Sequence, residues 1–99
     1  TGLPTSEHAR ILAEYILPDP SIEGLWQVAA DPISKYELLR LVARIYGMPT
    51  EVIPDSSVQE DKRLSCEAFK QLTGYEAPPW PEMLCAMREA QLRIAKNFL

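Results

Sequence analysis

The sequence predicts a small, helix-rich α/β domain: about four helices with a short two-stranded parallel sheet whose strands are joined by a helix in a βαβ crossover. Three observations carry this reading. Residues 25–29 are a short run containing Trp26 and Val28, bounded by Gly24 and by Asp31 and Pro32, which is the pattern of a strand. Ser34 and Glu37 stand three residues apart ahead of an apolar run, which is a capping box opening a helix. Residues 51–54 then read as a second strand, so that strand, helix and strand fall within a span of about thirty residues.

In chain order, Thr5 is expected to N-cap a first helix, with Glu7 in the first turn, where a carboxylate meets the positive end of the helix dipole. Ile11, Leu12, Tyr15 and Ile16 recur at helical spacing, and Pro18 and Pro20 end the run. In the crossover helix, Ile33 and Leu38 form a hydrophobic staple around the capping box. The apolar positions Leu38, Leu39, Leu41, Val42 and Ile45 lead to Gly47, which suits a left-handed C-terminal cap. Residues 55–62 are polar apart from Val58 and read as a loop. Ser65 is expected to cap a short third helix, stapled by Leu64 and Phe69 and stopped at Gly74. Pro81 sits where a first-turn proline is tolerated, opening a last helix that runs to about Lys96. Its stripe of Met83, Leu84, Met87, Ala90, Gln91 and Ile94 is imperfect, so its far end is expected to fray or to dock on a partner.

Composition excludes several functions. A chain of 99 residues buries one modest core, so residues 1–99 are read as a single domain, and no apolar run reaches the roughly 20 residues that cross a bilayer. The start at Thr1 lacks the basic and apolar regions of a signal peptide and looks like the middle of something longer. A net charge of -4 argues against a nucleic-acid partner, and nothing points to a membrane partner. Cys66 and Cys85 form no CxxC and have no nearby His, so no metal site is expected and the thiols fit a reducing, cytoplasmic setting. The glycines lie more than twenty positions apart, so no loop cradles a dinucleotide pyrophosphate. No tyrosine has a lysine four residues later, so the acid/base pair of short-chain dehydrogenases is missing and no catalytic residue is assigned.

The segment from Gly24 to Leu39, the stretch Asp61-Lys62-Arg63-Leu64, and the stretch from Leu72 to Trp80 together resemble the C-terminal, substrate-side part of the dTDP-4-dehydrorhamnose reductase family. These are sugar-nucleotide reductases of the extended short-chain dehydrogenase class, and the resemblance spans residues 1–87. It implies a fragment of a Rossmann-type oxidoreductase, with the NAD(P)-binding domain and its catalytic Tyr upstream of Thr1. It further implies no cofactor in the fragment, NADP or NAD in the full-length protein, and a nucleotide-sugar substrate bound together with the missing Rossmann domain, and it leaves room for a homodimer. Lys62 and Arg63 match a basic segment on the nucleotide-sugar side of the family's cleft. Lys62 replaces the usual Arg, Arg63 the usual Ser and Ser65 the usual Asp, and a lysine is a point charge rather than a bidentate fork. Pro4 and Thr5 lie in a stretch resembling the family's Gly-x-Pro-Thr loop beside the substrate pocket.

Each candidate has a plainer reading. Lys62 and Arg63 can be a solvated charge pair, and Pro4 and Thr5 a simple helix start. His8, the only histidine, reads as a surface residue. Trp26, Trp80 and the Tyr36, Leu39 and Val42 stripe read as core. Two functional classes stay open. One is the nucleotide-sugar-facing domain of a reductase, or of a sibling epimerase or dehydratase; the other is a non-catalytic regulatory or interaction module of the same ancestry.

Overall fold

The computed structural model describes residues 1–98. It holds four α-helices: α1 (Thr5–Ile11), α2 (Lys35–Ile45), α3 (Glu67–Thr73) and α4 (Trp80–Phe98), with a π turn (Leu12–Ile16) continuing α1. Among the described residues there is no strand and no sheet. The expected α/β class and its parallel βαβ crossover are therefore overturned, and the domain is all-helical.

The reason lies in pairing rather than in local preference. Along residues 25–28, burial alternates: Leu25 and Gln27 face water while Trp26 and Val28 are half-buried, the period of two that an extended segment produces. A strand also needs a ladder, and residues 51–54 supply none. The single backbone bond at this place runs from the Ala30 N–H to the Thr1 carbonyl at 2.9 Å.

Helix ends follow local chemistry. The Ser34 Oγ accepts the Glu37 N–H at 3.1 Å, so the expected cap of α2 forms. At its other end Gly47 has φ +65°. The Gly47 N–H bonds to the Arg44 carbonyl and the Met48 N–H to the Ala43 carbonyl, a Schellman closure. Gly74, at φ +77°, ends α3. Two expected caps are displaced. Pro4 rather than Thr5 is the N-cap of α1, with no side-chain cap bond, because its carbonyl takes the Glu7 and His8 N–H groups. Cys66 precedes α3, yet the Ser65 hydroxyl still accepts the Glu67 N–H at 3.3 Å.

The π turn explains which residues of the first run reach the core. One wide turn brings positions i+4 and i+5 beneath Ile11, so Tyr15 and Ile16 are half-buried while Leu12 is exposed. Ile11, Phe69 and Tyr75 form the buried centre, and Leu3, Tyr15, Trp26, Val28 and Ala77 pack around it. The aromatic rings meet edge to face, Tyr15 and Tyr75 at 5.3 Å and Phe69 and Tyr75 at 5.9 Å between centroids. The base of α4 buries Met83 and Leu84, and the Trp80 indole donates to the Asp31 carbonyl at 2.8 Å.

Beyond this centre the molecule is a slab of 47 × 42 × 17 Å with a radius of gyration of 15.9 Å, against about 13 Å for a compact chain of this length. No residue of α2 is fully buried, and residues 91–97 of α4 are all exposed. Among the described residues, no helix is long and apolar enough to cross a membrane.

Candidate functional site

Three segments distant in sequence line one open cleft of about 1090 Å³: Thr1, the start of α2 from Pro32 to Glu37, and the polar loop from Val58 to Arg63, with Asp55 at its edge. Thr1 holds the loop in place. Its carbonyl takes the Ala30 N–H at 2.9 Å and its Oγ1 takes the Leu64 N–H at 3.0 Å, which ties the end of the loop to the chain just before α2. Lys62 and Arg63, the two basic residues singled out in the sequence, thereby come to the cleft. Pro4 and Thr5 are not among the residues lining it. Pro4 is instead occupied in starting α1.

Both loop cations already have acidic neighbours. The Lys62 Nζ lies 2.8 Å from Glu60. Arg63 grips Asp61 with two side-chain bonds, Nε to Oδ1 at 2.9 Å and NH2 to Oδ2 at 2.6 Å. The Arg63 hydrogen bonds hold the Asp61 carboxyl down to about 2, and Asp61 in turn raises the guanidinium. These pairs are exposed, so they contribute little to stability and exchange readily for another anion. Lys35, in the first turn of α2, also lines the cleft and has no carboxylate within ion-pair distance among the described residues. Tyr36 is half-buried there, with the Arg40 guanidinium 5.5 Å from its ring centroid.

The cleft is thus mixed in charge. Lys35, Lys62 and Arg63 face Glu37, Asp55, Glu60 and Asp61. On such a surface a phosphate reaches Lys62 or Arg63 only by displacing Glu60 or Asp61, whereas Lys35 has no carboxylate to displace among the described residues. Thr1 and Lys35 were not singled out from the sequence, and Tyr36 was read there only as part of a core stripe, whereas it is half-buried in the cleft lining. The hydroxyl and carbonyl of Thr1 act through contacts across sixty-three and twenty-nine positions, which no local pattern encodes.

A second polar cluster lies in the core. Glu7 accepts the Tyr75 hydroxyl at 2.7 Å and the Arg10 NH2 at 2.6 Å, and Arg10 also reaches Glu14 at 2.7 Å. Burial and the bond to Glu7 push the Tyr75 hydroxyl well above its ordinary range. The buried Tyr75–Glu7 bond fastens α1 to the segment after α3. His8 is exposed on α1, and Cys66 and Cys85 are free thiols. Among the described residues, no three His, Cys, Asp or Glu side chains gather in a way that holds a metal ion.

Comparison of the chain with protein-family models, with curated proteins and with solved structures finds no match.

Proposed function

We propose that the chain is the nucleotide-sugar-binding part of an NAD(P)-dependent oxidoreductase similar to the dTDP-4-dehydrorhamnose reductases, acting in deoxysugar nucleotide biosynthesis. The observation that carries this reading is the convergence of Lys62 and Arg63 with the start of α2 on one open cleft large enough for a nucleoside diphosphate sugar. In this reading the diphosphate displaces Glu60 and Asp61 from the two loop cations, and Thr1 keeps the loop in register. The dinucleotide and the catalytic tyrosine belong to a separate cofactor domain, because this chain holds neither a glycine-rich loop nor a Tyr-x-x-x-Lys pair. The isolated chain is then not itself catalytic.

The experiment uses the full-length protein, where the cleft is completed by the cofactor domain. Lys62→Ala and Arg63→Ala should each raise the Kd for a dTDP-hexose by about tenfold, with cofactor affinity little changed. Affinities within about twofold of the parent at low salt would remove the pair from the site.

The wide bare surface of the slab favours a second reading, a non-catalytic interaction module of the same ancestry. Full-length protein that binds no nicotinamide dinucleotide, yet is pulled into a stable complex by this domain, would decide for it.

A further inference from the structure

We propose that Lys35, in the first turn of α2, is the primary seat of the diphosphate in this cleft, holding a phosphate without displacing any carboxylate. The inference rests on the nucleotide-sugar reading and adds to it a residue outside the basic pair of the loop.

None of the four acidic residues of the cleft pairs with Lys35. Glu60 lies 2.8 Å from the Lys62 Nζ, and Asp61 lies 2.6 Å from the Arg63 guanidinium. The Asp55 Oδ1 accepts the Ser57 N–H at 2.9 Å. Glu37 stands two positions beyond Lys35 on the same helix, and residues at that spacing do not face each other. Among the described residues Lys35 is the one cation of the cleft with no local counter-charge.

Its position is one that an anion completes. The first turn of a helix carries the positive end of the dipole, where a cation is disfavoured unless negative charge comes close. That turn is fixed in place. The Ser34 Oγ accepts the Glu37 N–H at 3.1 Å, and the Ser34 carbonyl accepts the Leu38 N–H at 2.9 Å. A ligand that meets Lys35 therefore orders no backbone, whereas the loop cations sit on a segment without regular structure.

The loop cations bind on different terms. At Lys62 or Arg63 an incoming phosphate gains only the difference between its own bond and that of the carboxylate it displaces. At Lys35 it gains the whole charge-assisted bond, so Lys35 carries more of the affinity than either. The two walls still serve one ligand. Thr1 accepts the Ala30 N–H at 2.9 Å and the Leu64 N–H at 3.0 Å, which keeps the end of the loop beside the chain leading into α2.

Titration of the full-length protein with a dTDP-hexose and with dTDP tests the proposal, reading Kd, its salt dependence and the melting temperature. Lys35→Ala should raise both Kd values by at least about thirtyfold, more than the roughly tenfold expected of Lys62→Ala or Arg63→Ala. The Kd of the variant should also climb less steeply with salt than that of the parent, because a screened contact is gone. The melting temperature should hold, and Lys35→Arg, which keeps the charge, should recover most of the affinity. If the loop substitutions weaken binding while Lys35→Ala stays within about twofold, the nucleotide-sugar reading stands and the role of Lys35 is overturned. A loss at Lys35 smaller than at either loop cation overturns it as well. So does a loss that comes with a lowered melting temperature, an unchanged salt slope and no recovery in Lys35→Arg, the mark of a purely structural role. If none of the three substitutions matters, or the parent binds neither ligand, both readings fall together.

Discussion

Glu7 combines burial with a full charge, and its neighbours account for that. Arg10 and Tyr75 supply its hydrogen bonds, and the guanidinium, 5.7 Å above the Tyr75 ring, closes the cluster. The bond from Arg10 keeps the Glu7 carboxyl below its ordinary value of 4.5. The unfolded chain therefore takes up this proton more readily than the folded one. The stabilisation is complete above the ordinary value and is lost as pH falls through the lowered one. Urea melts between about pH 6 and pH 3 should show stability falling with acid, and Glu7→Gln should flatten that slope while lowering stability at neutral pH. A slope unchanged by the substitution would mean that Glu7 is solvated alike in both states. Tyr75 carries the opposite sign. Its hydroxyl is raised, so its contribution holds below the ordinary value of 10.0 and is lost only as pH climbs beyond it. Tyr75→Phe removes a bond to a charged acceptor and should cost about 1.5 to 3 kcal/mol at neutral pH. Nothing in the spacing of Glu7 and Tyr75 announces this bond, because it spans sixty-eight positions.

Helix by helix, both ends of α2 and the glycine stop of α3 were legible, the N-caps expected at Thr5 and Ser65 fell one residue away from the observed ones, and the pairings were not legible. Ser34 and Glu37 are three residues apart, and Gly47 follows an apolar run, so the information for both ends of α2 is contained in α2. Ser34→Ala should cost about 1 kcal/mol and Gly47→Ala about 1 to 2 kcal/mol, the second from a side chain forced to positive φ. Residues 25–28 show the limit of such reading. Trp26 and Val28 produced the alternation of a strand, but a strand is completed only by a neighbour, and residues 51–54 are not that neighbour. The cleft divides in the same way. Lys62 and Arg63 stood out as adjacent cations, whereas Lys35 is hidden inside a capping signal and Thr1 acts only through distant backbone. Burial ranks the helices too. Phe69 is fully enclosed, so Phe69→Ala should cost about 3 to 5 kcal/mol. Leu38 is only half-buried, and Leu38→Ala should cost about 1 to 2 kcal/mol. Leu92 lies in the exposed end of α4, where Leu92→Ala should change stability by less than about 0.5 kcal/mol and amides should exchange far faster than those of α3. Equal losses at Phe69 and Leu92 in denaturant melts would place the core wrongly.

The slab shape bears on stability as well as on association. Denaturant sensitivity follows the area that unfolding exposes, and that area is the difference between the unfolded chain and the folded surface. An unfolded chain of 11.2 kDa exposes about 16,000 Å². A compact fold of that mass would open about 10,500 Å² on unfolding. This one, already exposing 7774 Å², opens about 8,500 Å². The m-value in urea and the heat-capacity change should therefore both fall about one-fifth below the norm for a chain of this length. The measurement belongs at low concentration, where copies do not meet. A dilute m-value at the ordinary level would show that the chain in water closes its open side. The bare surface would then be unavailable to a neighbouring domain.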